Sequence, residues 1–66
     1  MIKFVDIQTR EVILSTTSSA PQLNELVSVE IDDINNTYTV TGITHHYTED
    51  TKTTTVAVKW LYETKN

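Results

Sequence analysis

Between Leu26 and Tyr62 bulky apolar residues alternate with small or polar ones, the two-residue period of strands that bury one face. Val27, Val29 and Ile31 are interleaved with Ser28, Glu30 and Asp32. Tyr38 and Val40 flank Thr39, and Thr54, Val56, Val58, Trp60 and Tyr62 alternate with Thr55, Ala57, Lys59 and Leu61. The pattern predicts a three-stranded antiparallel meander over Leu26–Tyr62, with turn clusters at Asp33-Ile34-Asn35-Asn36 and Glu49-Asp50-Thr51-Lys52.

The middle strand slips phase once. Bulky residues stand at even positions before Gly42 (Tyr38, Val40) and at odd positions after it (Ile43, His45, Tyr47). A β-bulge at or beside Gly42 returns all five to one face, and glycine tolerates the bulge backbone. With a loop at 49–52, Tyr47 is expected opposite Thr54, His45 opposite Val56, Ile43 opposite Val58, Val40 opposite Trp60 and Tyr38 opposite Tyr62. The earlier turn is expected to set Ile31 against Tyr38, Val29 against Val40 and Val27 near Gly42.

Upstream, Met1–Ile7 reads as a short strand with apolar candidates on both faces, Thr9-Arg10-Glu11 as a turn, and Glu11–Leu14 as a second strand. Ser15–Ser19 is a polar, low-complexity stretch, so 15–20 is expected to be a flexible loop. Pro21–Leu26 suits one helical turn with proline at its start. Residues 63–66 are expected to fray. Together these elements predict an all-β fold: a small five-stranded, strongly bent antiparallel sheet, or an SH3-like partly open barrel, centred on Tyr38, Val40, Ile43, Val56, Val58 and Trp60.

Composition narrows the classes of function. A chain of 66 residues without cysteine is expected to be one small domain without disulfides, and it can use neither thiolate zinc sites nor a cysteine nucleophile. Domains of this size bury only ~60% of their unfolded surface, so association between chains is expected to add stability. Thirteen threonines with one glycine and one proline suit a compact β protein. A net charge of −4 argues against binding to a DNA or RNA duplex, whose phosphates need a basic surface. Neither a signal peptide nor a stretch of the ~20 apolar residues that a membrane helix requires is visible, so a cytoplasmic location is expected.

Candidate chemistry is sparse. His45 and His46 are neighbours on a strand and point to opposite faces, so they cannot readily chelate one ion, and no metal or cofactor is expected. The acidic pairs Asp32-Asp33 and Glu49-Asp50 suit turn hydrogen bonding better than calcium binding. Nothing orients the loop serines towards a histidine, so no enzyme constellation emerges. The face opposite the core carries Thr39, Thr41, Thr55, Ala57 and Leu61, a flat surface suited to oligomerisation. Tyr47 and Tyr62 are the aromatic residues expected to be accessible; with His46, Lys59 and Arg10 they form the candidate ligand-binding set.

The succession of Ile2 to Asp6, Pro21, Val27 and Val29, Tyr38 and Val40, His45 to Tyr47, and Val56 and Val58 resembles small accessory proteins encoded by bacteriophages and prophages. That resemblance implies a non-enzymatic, virus-encoded binding module acting in the host cell. Such a module would be a homo-oligomer that sequesters a nucleotide-like signal or blocks a host defence protein. The alternative it leaves open is a structural or virion accessory protein that uses the threonine face for protein contacts.

Overall fold

A computed structural model describes residues 1–65. It is all-β: β1 (Ile2–Asp6), β2 (Val12–Thr16), β3 (Leu26–Ile31), β4 (Ile34–Tyr47) and β5 (Lys52–Lys65) form one sheet in the order β2-β1-β5-β4-β3. The meander β3-β4-β5 is present as the alternation predicts. The sheet as a whole is mixed rather than antiparallel, because β1 lies parallel to β5, with Ile2 beside Thr54 and Asp6 beside Val58. β2 and β3 sit at opposite edges, and the sheet is not closed into a barrel. The chain from Thr16 to Leu26 therefore passes from one edge to the other, and Ala20 packs on the buried cluster along the way.

Up to Trp60, pairing in the meander keeps the predicted faces but not the predicted partners. The loop between β4 and β5 is Thr48–Thr51, so Tyr47 pairs with Lys52, His45 with Thr54, Ile43 with Val56 and Val40 with Val58. The threonines at its ends close it. Thr48 N donates to Thr51 O at 2.9 Å, Thr51 N donates to Thr48 Oγ1 at 3.0 Å, and the two hydroxyls lie 2.7 Å apart. These side-chain bonds favour the tight turn over the one inferred from the acidic residues.

At the other hairpin the turn is Asp32-Asp33, not Asp33–Asn36. Both aspartates have positive φ (52° and 66°), the backbone of the two-residue turn that matches strand twist. Aspartate tolerates that region better than most residues. Ile31 consequently pairs with Ile34, Val29 with Asn36 and Val27 with Tyr38. Both hairpins are displaced by an even number of residues, which is why the core face survives the change of register.

The expected irregularity beside Gly42 is real, and the extra residue is Thr41: Val40 pairs with Val58, and Gly42 with Ala57. Gly42 does not have positive φ, so the bulge does not draw on its conformational freedom. A second bulge was not legible in the pattern. Tyr38 pairs with Trp60 but Thr37 pairs with Tyr62, so Leu61 is extra and Tyr62 turns to the face opposite Trp60.

The core is Phe4, Val29, Tyr38, Val40, Val56 and Val58, with Ile2, Ile13, Ala20, Val27 and Ile43 packed around it. Trp60 is not at the centre, being 38% exposed. β1 ends at Asp6 beside Val58, so β5 runs on past its neighbour and Trp60 lies beyond the covered part of the sheet. Its indole Nε1 donates to Asn36 Oδ1 at 3.2 Å. Other expectations shift as well. Pro21–Leu26 holds no helical turn; Glu25 N donates to Gln22 O at 3.2 Å, around Asn24 at φ 69°. Ser15 and Thr16, expected in the loop, belong to β2. Glu63–Lys65, expected to fray, continue β5 and pair with Asn36, Asn35 and Ile34, while Asn66 lies outside the described residues.

Candidate functional site

Strand parity decides which candidate residues can act together. His46 pairs with Thr53 and Tyr47 with Lys52, so the two neighbours project from opposite faces. Tyr47 is 67% exposed and has the Lys52 ammonium 5.7 Å from its ring centroid, a cation–π arrangement within the hairpin. Tyr62 is 51% exposed and shares the outer face with its partner Thr37. Ten residue steps along β5 separate Lys52 from Tyr62, about 33 Å of extended strand. Tyr47 and Tyr62 therefore cannot grip one small ligand within a single chain.

Lys59 stands opposite Thr39 on the outer face. Arg10 lies in the turn after β1 at φ 64°, and its N–H donates to Asp6 O at 2.7 Å. The five ligand candidates are thus distributed along a molecule 43 Å long and 20 Å across. Among the described residues there is no enclosed pocket and no group of three or more metal-ligating side chains. None of the described residues forms a helix long and apolar enough to cross a membrane.

The interface candidates are more coherent. Thr39, Thr55 and Ala57 lie on the outer face, paired with Lys59, Thr44 and Gly42. Thr41 uses its hydroxyl internally, donating to Ala57 O at 3.2 Å across its own bulge. Leu61, at the second bulge, is 40% exposed. The sequence pattern showed this face as only two strands wide, but β1 and β2 extend it. Lys3 stands beside Thr55 and Val5 beside Ala57, while Ser15 and Val12 continue the same rows. One row runs Val12, Val5, Ala57, Gly42 and the next runs Ser15, Lys3, Thr55, Thr44. The apolar candidates on both faces of β1 were the signal for this: Phe4 fills the core while Val5 serves the outer face.

Asp6 is the polar residue that sequence reasoning missed. It is 7% exposed and on the core face, and its carboxylate accepts hydrogen bonds from Gln8 N at 2.8 Å and Thr9 N at 3.3 Å. It thereby shapes the β1–β2 turn. Burial pushes the Tyr38 phenol above its ordinary value, and the negative charge of Asp6 adds to the effect. His45 Nδ1 lies 3.1 Å from the hydroxyl of the buried Thr54, a cross-strand pair on the core face. These bonds help to build the fold. No family model, curated protein or solved structure matches the chain.

Proposed function

We propose that this chain is a non-enzymatic binding module of phage type, which works as a homo-oligomer in the host cytoplasm and blocks a host defence protein by surface contact. The observation that carries this reading is the placement of three candidate residues: Tyr62, Lys59 and Thr39 occupy an open sheet face rather than the wall of a cavity, and Leu26 lies beside Thr39 on that face. Leu26 and Tyr62 are 64% and 51% exposed, which offers apolar and aromatic area for a partner. Capture from host lysate tests the reading. The tagged chain is expected to retain a defined host protein, and Tyr62→Ala together with Lys59→Ala is expected to release it. A host protein retained equally by the double variant would refute the assignment to this face.

The same family of functions includes sequestration of a nucleotide-like signal. Because Arg10, His46, Tyr47, Lys59 and Tyr62 are dispersed within one chain, such a ligand would have to be held between chains, by basic groups and threonine hydroxyls from more than one copy. A melting temperature unchanged by cyclic dinucleotides and NAD-derived nucleotides would remove this version and leave protein blocking. The virion-accessory reading draws its support from the width of the outer face, where rows of small and β-branched residues, interrupted by Lys3, cross four strands. Presence of the chain in purified particles would favour it.

A further inference from the structure

β4 carries an edge that the other described residues leave open, and the backbone polarity of that edge follows from its neighbours. Thr54 N donates to Met1 O and Val58 O accepts from Ile7 N, so even-numbered residues of β5 up to Val58 direct their backbone groups to β1. The odd-numbered residues serve β4, where Gly42, Thr44 and His46 are their partners. Ile43, His45 and Tyr47 must then direct their N–H and C=O groups to the other side. On that side β3 pairs with β4 only as far as Thr39, and Asn24 and Glu25 bond Val40. From Thr44 to Tyr47 every side chain is exposed.

This edge also lacks the devices that protect the others. Lys59, Glu63, Lys65 and the Leu61 bulge guard the free part of β5, and Glu30 lies on β3. β2 is five residues long and broken by its own irregularity at Ile13. Gly42-Ile-Thr-His-His-Tyr-Thr48 contains no Asp, Glu, Lys, Arg or Pro, and from Gly42 its pairing with β5 runs on unbroken. Uncharged, regular and rich in β-formers, it is a template for another strand.

We propose that residues 43–47 of β4 are the docking edge for a second copy of this chain, the two strands pairing antiparallel about a two-fold axis at His45. In that register His45 meets its own counterpart and Ile43 meets the second copy's Tyr47, both as hydrogen-bonded pairs that satisfy the free backbone groups. Thr44 meets the second copy's His46 on the opposite face. No residue with a permanent charge is set against another, and the Ile43–Tyr47 contact is a β-branched–aromatic pair of the favourable kind. A second copy fits because the segment is complementary to itself without any charged partner. The two sheets become one continuous sheet of ten strands. An edge of five residues buries less than the ~1,200 Å² of a standard interface, so association is expected in the roughly micromolar-to-millimolar range. The inference specifies how the proposed oligomer forms; a dimer made through the threonine face would leave the same oligomer but a different response to substitution.

The experiment is sedimentation equilibrium on the full chain between about 10 µM and about 1 mM, the range in which small interfaces associate. The weight-average mass is expected to rise from 7.5 kDa towards twice that value. His45→Lys sets two like charges on the axis and is expected to hold the mass at one chain, whereas Ser28→Lys, the same charge on β3, is expected to leave the rise intact. Cross-linking supplies a second readout that does not depend on tolerance of the lysine. Hydrogen-bonded antiparallel pairs place Cα atoms about 5.5 Å apart, within disulfide reach, and the chain has no native cysteine to interfere. His45→Cys is expected to oxidise to a dimer much faster than Ser28→Cys. A mass fixed at one chain throughout would overturn the proposal and the homo-oligomer reading together. A rise unaffected by His45→Lys, or equal cross-linking at both sites, would overturn the edge alone.

Discussion

Removing two methyl groups from Val58 should cost a large part of this domain's stability. The side chain is fully buried, on β5 between Asp6 of β1 and Val40 of β4, and Phe4, Tyr38 and Val56 belong to the same cluster. Val58→Ala loses about 1.6 kcal/mol of transfer free energy at ~0.8 kcal/mol per buried carbon. A cavity of roughly 50 Å³ left unrelaxed would add up to about 1.2 kcal/mol at ~24 cal/mol per Å³, for a total of about 1.6–2.8 kcal/mol. A domain of 66 residues has only about 3–10 kcal/mol to lose, and each kcal/mol lowers Tm by about 4–8 °C. Urea unfolding followed by far-UV circular dichroism at fixed protein concentration measures the change directly. Val12→Ala is the control: Val12 is 53% exposed, so its loss should stay within about 0.5 kcal/mol. Similar costs for the two variants, or a loss below about 0.5 kcal/mol for Val58→Ala, would refute a core centred on β5.

Three further outcomes follow from the turns, the bulge and the buried phenol. Asp33→Gly relieves a non-glycine residue at φ 66° and is expected to raise stability by about 0.5–1 kcal/mol in the same urea assay; a loss would contradict the two-residue turn. Gly42→Ala is expected to be neutral or to stabilise by up to about 1 kcal/mol, because the added Cβ would meet only Ala57 Cβ at an ordinary 3.8 Å and glycine's unfolded-state entropy is removed. The Tyr38 phenol is raised above its ordinary 10.0 by burial and then by Asp6, so the folded state holds that proton more tightly than the unfolded state does. Its contribution is complete below pH ~10 and is lost as pH climbs through the folded value, so Tyr38→Phe should flatten the alkaline fall in stability; an unchanged slope would show that the phenol is not responsible.

The sequence by itself determined which residues share a face in the meander as far as Trp60. Alternation is a local property of extended backbone, and it placed Val40, Val56 and Val58 together and put the irregularity beside Gly42. It could not choose between registers that differ by an even number of residues, since all of them keep the same face inward. That choice fell to turn geometry: two aspartates at positive φ in one hairpin, and the Thr48–Thr51 hydroxyl bonds in the other. Long-range placement was equally out of reach. That β1 lies parallel to β5 depends on contacts more than fifty residues apart in sequence, and from that placement follow the burial of Phe4 and Asp6, the exposure of Trp60 and the four-strand width of the outer face. The candidate residues could be chosen by type from the sequence. Only the tertiary structure separated Tyr47 from Tyr62, turned Tyr62 outward through the Leu61 bulge, and left the edge at Ile43, His45 and Tyr47 without a partner strand among the described residues, because a backbone edge is created by where the neighbouring strands stop.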